Sequence, residues 1–441
     1  YLFVMKRDEN LGISVKKSEN ISEWYTQVMQ KAEMADYTSV SGCLVFRPRA
    51  YAIWERMVEE VDKRFKAEGI ENVYFPLFIP EALLQKESTH LEGFTPEVAW
   101  VTHAGDSALN ERLAVRPTSE TIMYESYSKW IRSWRDLPMR LNQWNNVVRW
   151  EFKNPVPFLR TREFLWNEGH TVFATQEEAE AEADTIISIY KDVMENYCAL
   201  PSFIGKKTET EKFAGAEYTI SMEQFLPSGK AIQGPDFHHD GQIFAKAFDI
   251  KFKDQNEDEQ YAYQNTFAFT TRVLGIMLMM HGDDKGLVIP PRIAPLHVGI
   301  VPVAHEKEPK VLEKAEELKR RLSKKHTVII DGREGYSPGF KFNDLELKGV
   351  PLRLEIGPRD LKEGNVVLVR RDNGEKKIIK EDDLEKEVQG MLDAMHQNLF
   401  AEAKRLLDES IVVVSGMDEL KAAIADRSEE RRVGKECTLR C

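Results

Sequence analysis

Arginine residues cluster around a short loop about one third of the way along the chain. Arg149 lies in the stretch 147–152, and Arg160 and Arg162 follow a loop that contains two prolines. The pattern predicts a β-hairpin that presents several guanidinium groups around its turn. Because a guanidinium stays charged and offers paired, planar donors, such a cluster is suited to binding a phosphate. Arginine and glutamate on paired strands also form solvated salt-bridge ladders, and the residues alone leave that alternative open.

A further arginine, Arg272, follows Thr270 and Thr271 at the predicted start of an apolar helix over residues 273–280. A cation at a helix N-terminus opposes the helix dipole, so an anion bound beside it would stabilise the arrangement. A structural ion pair would have the same effect, and this alternative also stays open. The methionines of the helix are expected to fill the core.

Two long amphipathic helices are predicted on either side of the arginine-rich region. Residues 51–66 place four large apolar side chains at helical spacing, and a short β-like piece follows at 73–75. The second helix covers residues 176–197, and Thr175 with Glu178 forms a possible capping box at its start.

Residues 115–169 alternate short apolar stretches with polar loops, which predicts an antiparallel sheet. Prolines at 290, 291 and 295 then mark a domain boundary. Beyond it, strands are predicted at 297–303, 327–330, 352–356 and 366–370, and helices at 307–322 and 382–407. Because strands and helices alternate there, the second unit is expected to be a compact α/β domain.

The composition limits the class of protein. At 441 residues, two or three domains are expected, and 42% hydrophobic with 30% charged residues is typical of a soluble globular chain. No long apolar run or signal peptide is visible, so no membrane partner is expected. The four cysteines show no disulfide pattern, which favours the cytoplasm. The net charge is −12, but residues 301–390 hold 20 Lys/Arg against 19 Asp/Glu, so an RNA partner is neither favoured nor excluded.

Taken together, these segments resemble the motifs of class II aminoacyl-tRNA synthetases. The matching segments are 149–151 with 160–164 for motif 2, 269–272 with 286–291 for motif 3, and 51–69 with 73–76 for motif 1. Residues 116–121 resemble the substrate loop of the prolyl-tRNA synthetase family. Residues 231–234, leading to His238 and His239, resemble a second segment of the same family. Residues 348–360 are similar to the anticodon-binding domain of that family. The resemblance covers roughly residues 15–425.

The resemblance implies an α+β class II catalytic domain, an antiparallel sheet with flanking helices, over residues 1–290. An α/β anticodon-binding domain is expected over 295–395, and residues 396–426 would begin a truncated C-terminal domain. Residues 427–441 resemble the translation of a sequencing-library adapter. We expect that this tail packs against nothing, holds no metal and has no function.

The implied reaction is the ATP-dependent ligation of L-proline to tRNA(Pro) through a prolyl-adenylate. The proline carboxylate attacks the α-phosphate directly, so catalysis is positioning and electrostatic stabilisation, with Mg²⁺ as cofactor. The family assigns catalysis to Arg149 and Arg272. It assigns proline binding to Thr118, Glu120, Arg149, Trp166, Phe213 and His238. It assigns ATP binding to Arg149, Glu151, Arg160, Thr161, Gln233, Thr270 and Arg272.

Further expectations concern partners. Motif 1 implies a homodimer, and Arg333, Lys341 and Arg353 are candidates for tRNA contact because of their position and charge. No metal-binding side chains are expected, because His238 and its neighbour His239 have no further His or Cys at ligand spacing.

Two features qualify the resemblance. Ala268 occupies the place of a glycine common in motif 3, and Pro235, Asp236 and Phe237 precede the histidines where relatives often have small or hydroxylated residues. About a hundred residues separate Phe164 from Asn265, which leaves no room for a large editing insertion and favours the insertion-free, archaeal/eukaryotic type. A threonine, glycine or histidine enzyme is one alternative, and a non-catalytic class II relative is another.

Overall fold

The computed structural model describes residues 12–88, 97–151 and 154–426. Its larger part is built around one long, mostly antiparallel sheet. The elements of this part are, in chain order, α1 (Ile21–Lys31), β1 (Ala35–Tyr37), β2 (Leu44–Phe46), α2 (Pro48–Ala67), β3 (Glu71–Asn72), β4 (Phe78–Pro80), α3 (Glu81–Ser88), β5 (Trp100–Ala104), β6 (Ser107–Val115), α4 (Glu120–Trp130), β7 (Met139–Val148), β8 (Glu163–Phe173), α5 (Gln176–Asn196), β9 (Phe203–Lys206), β10 (Tyr218–Phe225), β11 (Ala231–Gly241), α6 (Ile243–Phe248), β12 (Lys251–Lys253), β13 (Glu259–Tyr261), β14 (Tyr263–Thr270) and α7 (Arg272–His281).

The seven strands of the main sheet lie in the order β3-β7-β8-β14-β11-β10-β9. Every neighbouring pair is antiparallel except β3 and β7. The hairpin β7–β8 pairs without a register shift from Met139↔Val172 to Val148↔Glu163. The predicted antiparallel class and the predicted hairpin are therefore confirmed.

Helices α2 and α5 pack against the main sheet through aromatic side chains. Phe65 of α2 lies with its ring centroid 5.9 Å from that of Tyr190 of α5 and 5.5 Å from that of Phe267 of β14. Helix α5 begins with the predicted capping box, since Thr175 and Glu178 each accept a backbone N–H of the other. One continuous core therefore supports the back of the sheet and leaves its other face for the site.

The sequence-based prediction fails at two places before the hairpin. The strand predicted at 73–75 comprises Glu71–Asn72 instead, and residues 73–76 are held by contacts such as Arg116 Nη1 to Phe75 O, 2.9 Å. The sheet predicted over 115–169 is interrupted by α4. That helix buries Met123 and Tyr127 at helical spacing, which is easily taken for alternation in so short a stretch.

The second part of the chain is an α/β unit. Its elements are β15 (Val298–Pro302), α8 (Lys310–Leu322), β16 (Val328–Ile330), α9 (Pro338–Leu347), β17 (Leu352–Ile356), α10 (Pro358–Glu363), β18 (Asn365–Arg370), β19 (Lys376–Lys380), α11 (Leu384–Ser410) and α12 (Met417–Asp426). Its sheet has the order β16-β15-β17-β18-β19, with parallel pairing around β15 and antiparallel pairing from β17 onwards. The predicted strands and long helices are all present, whereas α9, α10 and β19 were missed.

Helix α11 connects the two parts and runs unbroken through the domain boundary expected at residue 395. Its first turns, around Leu384 and Val388, belong to the core of the α/β unit. Met395 and Leu399 pack instead on Ala199 and on Val288. The helix therefore serves both cores, and the structure places no break at residue 395. The expected adapter-like tail, 427–441, lies outside the described residues.

No helix in the described parts of the chain combines the length and apolar character that crossing a membrane requires.

Candidate functional site

The loop before α4 is fixed to the edge of the main sheet by a buried arginine. Arg116 is 2% exposed, and its Nε donates to Asn146 O at 2.8 Å. Its Nη1 donates to Phe75 O at 2.9 Å, so its guanidinium joins two backbone segments. The following residues, Pro117 to Glu120, are consequently held beside the end of β7.

Helix α4 starts with a carboxylate that faces the site. Glu120 is 7% exposed and accepts a hydrogen bond from Thr118 Oγ1. Ser119 donates from its backbone N and its hydroxyl to Glu168 of β8. Burial acts to raise the pKa of Glu168, but its contacts with His170 and Ser119 lower that pKa below its ordinary value. Two carboxylates are thus fixed beside the cavity, and Glu120 is the one that lies at the start of the helix.

Arg149 lies at the end of β7, one residue before the hairpin loop. Its Nε donates to Pro117 O at 2.9 Å, which ties the hairpin to the α4 loop. The guanidinium carbon lies 5.2 Å from the ring centroid of Trp166. Trp166 is itself oriented by donating from Nε1 to Asn145 Oδ1 at 2.6 Å. Backbone and ring contacts therefore orient Arg149.

Arg272 is the first residue of α7. Its Nε donates to Leu159 O at 3.1 Å and its Nη1 to Gln233 O at 3.4 Å, so it bridges the hairpin loop and β11. Burial, together with the charges of Arg149 and Arg160, lowers its pKa from the ordinary value, while Asp236 acts in the opposite direction. Positive charge is therefore concentrated here, which favours a bound anion.

Strands β10 and β11 contribute a chain of polar contacts. Lys207 Nζ donates to Gln233 Oε1, and Gln233 Nε2 donates to Asp236 Oδ2 at 2.6 Å. The same Oδ2 lies 3.4 Å from His238 Nε2, and His238 Nδ1 lies 2.8 Å from Thr219 Oγ1. Burial opposes the shift, but His238 and Lys207 hold the pKa of Asp236 below its ordinary value, so the carboxylate is charged at neutral pH.

These groups surround one cavity of about 310 Å³. All the predicted proline and ATP residues except one line it, namely Thr118, Glu120, Arg149, Glu151, Thr161, Trp166, Phe213, Gln233, His238, Thr270 and Arg272. The exception is Arg160, which is exposed on the hairpin loop, with its backbone N bonded to Val156 O at 2.9 Å. Its charge still acts on Arg272, so it lies near the rim of the cavity.

Several lining residues were not predicted. They are polar or charged groups on the strands and on the loop before β10, chiefly Glu168, Lys207, Glu211, Thr219 and Asp236. Asp236 had a signal, since it departs from the family pattern, but its type alone did not give it a role. The others lie in ordinary alternating or polar stretches, where a single sequence does not distinguish a cavity face from a solvent face.

The three predicted tRNA-binding residues differ in accessibility. Arg333 has a side chain 44% exposed, paired with Asp331 and Asp344 at 2.7 Å each. Arg353 is 11% exposed and pairs with two glutamates. Lys341 is 3% exposed, so its ammonium is not available to a phosphate in this arrangement. Among the three candidates, Lys341 is thus the most buried, and Arg333 is the most exposed.

One group of possible metal ligands occurs among the described residues. Glu120, Glu168 and His170 offer ligand atoms within 4.8 Å of one another. The Glu168 oxygens, however, already accept from Ser119 and Asn145. This group is a hydrogen-bonded buried network, in which both Glu168 oxygens accept from protein donors.

Comparisons with known proteins agree with this geometry. A family model described as tRNA synthetase class II core domain (G, H, P, S and T) matches residues 100–281, and one described as anticodon binding domain matches residues 297–391. The chain is 50% identical over 405 residues to a proline–tRNA ligase of Natranaerobius thermophilus, covering 92% of this chain and 84% of the relative.

Eukaryotic proteins match as well. A mouse bifunctional glutamate/proline–tRNA ligase is 48% identical over 429 residues, which is 95% of this chain and 28% of that protein. A crystal structure of prolyl-tRNA synthetase from Cryptosporidium parvum, complexed with halofuginone and AMPPNP, superposes with a TM-score of 0.90 at 43% identity. It covers 95% of this chain and 86% of the other.

Proposed function

Because this chain belongs to the proline–tRNA ligase family, whose reaction is the ATP-dependent ligation of proline to tRNA, we propose that the cavity described above holds proline and ATP together. The observation that carries the proposal is that Arg149, Arg272 and Glu120 all face this cavity. Proline needs an anion for its secondary ammonium and a cation for its carboxylate, whereas ATP needs cations for its phosphates.

Proline binds beside α4 in this proposal. The buried carboxylate of Glu120 accepts the ring ammonium, and Thr118, which donates to Glu120, keeps that carboxylate oriented. Trp166 and Phe213 enclose the apolar ring. The proline carboxylate then points toward Arg149, whose guanidinium is held over Trp166.

ATP lies between the hairpin loop and the start of α7. Arg272 and Arg149 bind its phosphates, while Thr161, Gln233 and Thr270 contact the rest of the nucleotide, and Arg160 closes the rim. The proline carboxylate attacks the α-phosphorus, the bond to pyrophosphate breaks, and prolyl-adenylate remains. No protein group need take a proton, because the attacking carboxylate is already ionised; the arginines stabilise the charge that develops.

A magnesium ion bound with ATP fits the residues of this cavity. Glu151 and Glu211 line it as exposed carboxylates, and oxygen ligands are those that Mg²⁺ prefers. The ion would neutralise phosphate charge when bound, and these two side chains would hold it together with the nucleotide.

The α/β unit is proposed to bind the anticodon stem of tRNA(Pro), and among the three candidates Arg333 is the most exposed. We also propose a homodimer through the motif 1 region. Tyr51 of α2 and Tyr74, both within this region, are 44% and 73% exposed, which offers apolar surface for a second copy. The free thiols of Cys43 and Cys198 fit a reducing cytoplasm.

Proline-dependent exchange of labelled pyrophosphate into ATP tests the reaction. With all twenty amino acids compared, proline should exceed every other by a wide margin. Equal exchange with threonine or glycine would instead favour a different class II enzyme, and exchange with none would favour a binding module.

The assembly is tested separately by light scattering, where a dimer gives twice the chain mass of 50.9 kDa. A monomer with full activity would contradict the proposed dimer.

A further inference from the structure

Asp236 occupies a central position in the cavity that the reaction as described above does not use. It lies on β11 between Gln233, on the proposed ATP side, and His238, on the proposed proline side. Its Oδ2 accepts from Gln233 Nε2 at 2.6 Å and lies 3.4 Å from His238 Nε2. One carboxylate oxygen therefore contacts a residue from each half of the site.

The contacts around His238 determine which of its nitrogens carries the proton. The backbone N of Phe213 donates to Thr219 Oγ1 at 3.1 Å, and that hydroxyl lies 2.8 Å from His238 Nδ1. When the hydroxyl donates to Nδ1, the ring proton resides on Nε2, facing the Asp236 carboxylate. The imidazole is thereby fixed on both sides, with its ring centroid 5.0 Å from that of Phe213.

The amide of Gln233 is fixed in the same way. Its Oε1 accepts from Lys207 Nζ and its Nε2 donates to Asp236, so the amide has one orientation that satisfies both. Lys207 is held in turn by Glu223, 3.7 Å from its Nζ. If the amide O and N were exchanged, the NH₂ group would face the Lys207 ammonium and the amide oxygen would face the Asp236 carboxylate.

The neighbouring strand accommodates this carboxylate. Asp236 pairs directly with Ala268 of β14 in the sheet register, and both line the cavity. Asp236, within the segment 235–237 that departs from the family's pattern, is thus the cross-strand partner of Ala268, the other departure. A small side chain at 268 leaves room for the carboxylate and its two partners on the cavity face.

From these contacts we propose that Asp236 is a positioning residue that couples the proline and ATP halves of the site. Binding of ATP orders Gln233, and through the shared carboxylate oxygen it orders His238 for proline; binding of proline acts in the reverse direction, as linkage requires. The inference rests on the proposed placement of the two substrates.

The test is the affinity for proline measured by calorimetry with and without a saturating non-hydrolysable ATP analogue. In the unaltered protein the analogue should tighten proline binding by about fivefold or more, the range typical of coupled sites. In Asp236→Asn this ratio should fall close to one, and the KM for proline at saturating ATP should rise about tenfold. The kcat should change much less, because Asp236 touches no reacting atom.

Glu217→Gln is the matched control. Glu217 Oε2 lies 3.9 Å from His239 Nε2, so it is also a carboxylate facing a histidine of β11, but it is not part of the cavity lining. This control should keep the wild-type ratio. Lys207→Met, which removes the donor that orients the Gln233 amide, should also lower this ratio, and an unchanged ratio in this variant would overturn the inference; it decides the question if Asp236→Asn does not fold.

The inference would be overturned if Asp236→Asn kept both the wild-type ratio of proline affinities and the wild-type KM for proline. A variant that lost only thermal stability, with both of these quantities unchanged, would overturn it as well. Failure of the proposed function looks different, because then the unaltered protein would not exchange pyrophosphate with proline at all.

Discussion

The arginines proposed to bind ligands are anchored differently in the two parts of this molecule. In the catalytic sheet, Arg149 and Arg272 donate to backbone carbonyls of Pro117, Leu159 and Gln233 and face a cavity. In the α/β unit, Arg333 and Arg353 donate to carboxylates. Guanidinium groups anchored on neutral oxygens keep their charge for a ligand, whereas those bound to carboxylates mainly stabilise the fold. The comparison indicates that a small-substrate site is recognisable from such anchoring, while a nucleic-acid surface is not.

The largest expected effect concerns the first region. Replacing Arg149 by alanine removes a donor to the charge that develops on the α-phosphate, and proline-dependent pyrophosphate exchange should fall at least about 100-fold, or roughly 3 kcal/mol. Exchange rates at saturating substrates, with circular dichroism to verify folding, measure this effect.

Arg135→Ala provides the matched control, because Arg135 also lies over a tryptophan ring, 4.7 Å from the centroid of Trp134, but is absent from the cavity lining. It should keep nearly full exchange. If a folded Arg149→Ala protein had near-normal turnover, anchoring on neutral oxygens would not identify the arginines that bind a ligand.

The second expected effect lies at the junction of the regions. Arg371, 2% exposed, donates through Nη1 to Asp283 Oδ2 at 2.7 Å, just beyond α7. Alanine at 371 should cost about 2 kcal/mol of unfolding free energy, since a charged hydrogen bond is lost at a partly exposed partner. Calorimetry should show the two parts unfolding less cooperatively.

The adjacent Arg370 is its control, because its partners Asp372 and Glu375 belong to the α/β unit itself. Arg370→Ala should lower the stability of that unit without separating the transitions. If both variants behave alike, the ion pair at Asp283 does not join the two regions.

A third, smaller effect tests the tRNA surface. Arg333→Ala should raise the KM for tRNA in aminoacylation about fivefold to tenfold, on the order of 1 kcal/mol, and leave pyrophosphate exchange unchanged. Arg321, paired with Glu381 and Glu385 in the same unit, is the comparison variant and should have little effect on either reaction. A parallel loss of both reactions in Arg333→Ala would mean that the two regions are not functionally separate.

The sequence predicts more of the catalytic region than of the α/β unit, and the reason is physical. The catalytic chemistry requires particular residue types at fixed spacing, so 11 of the predicted residues line the cavity. The α/β fold was also predicted, because β15 and β18 contain continuous apolar runs. The sequence of this unit does not distinguish exposed from buried cations, because accessibility depends on tertiary packing: Lys341 is buried, whereas Arg333 is exposed.

Where local patterns were short, tertiary contacts determined the outcome. Residues 73–76 have strand-like composition, yet Phe75 bonds through its backbone N to the side chain of Gln143 and through its O to Arg116. Asp236 was visible as an unusual residue, but its role depends on contacts with Gln233 and His238 that only the folded sheet brings together.

The smallest expected effect concerns buried acids, one in each region. Asp240 is fully buried behind the catalytic cavity, and its Oδ2 has no hydrogen-bond partner among the described residues. Burial, and then the charge of Glu120, raises the pKa of Asp240 well above its ordinary value. In the α/β unit the side chain of Asp372 is just as buried, at 2% exposure, but it accepts two hydrogen bonds from Arg370.

The raised pKa fixes the sign of the pH dependence. The folded protein keeps the Asp240 proton while the unfolded chain releases it above about pH 4, so this group reduces stability progressively as the pH rises from there. Asp240→Asn removes that titration and should stabilise the protein by about 1 kcal/mol at pH 8, with the gain vanishing near pH 4. Asp372→Asn should instead destabilise, because Arg370 loses its charged partner. Urea unfolding of both variants at several pH values decides the matter, and a loss of stability in Asp240→Asn at pH 8 would show that the catalytic region compensates this acid as fully as the α/β unit compensates its own.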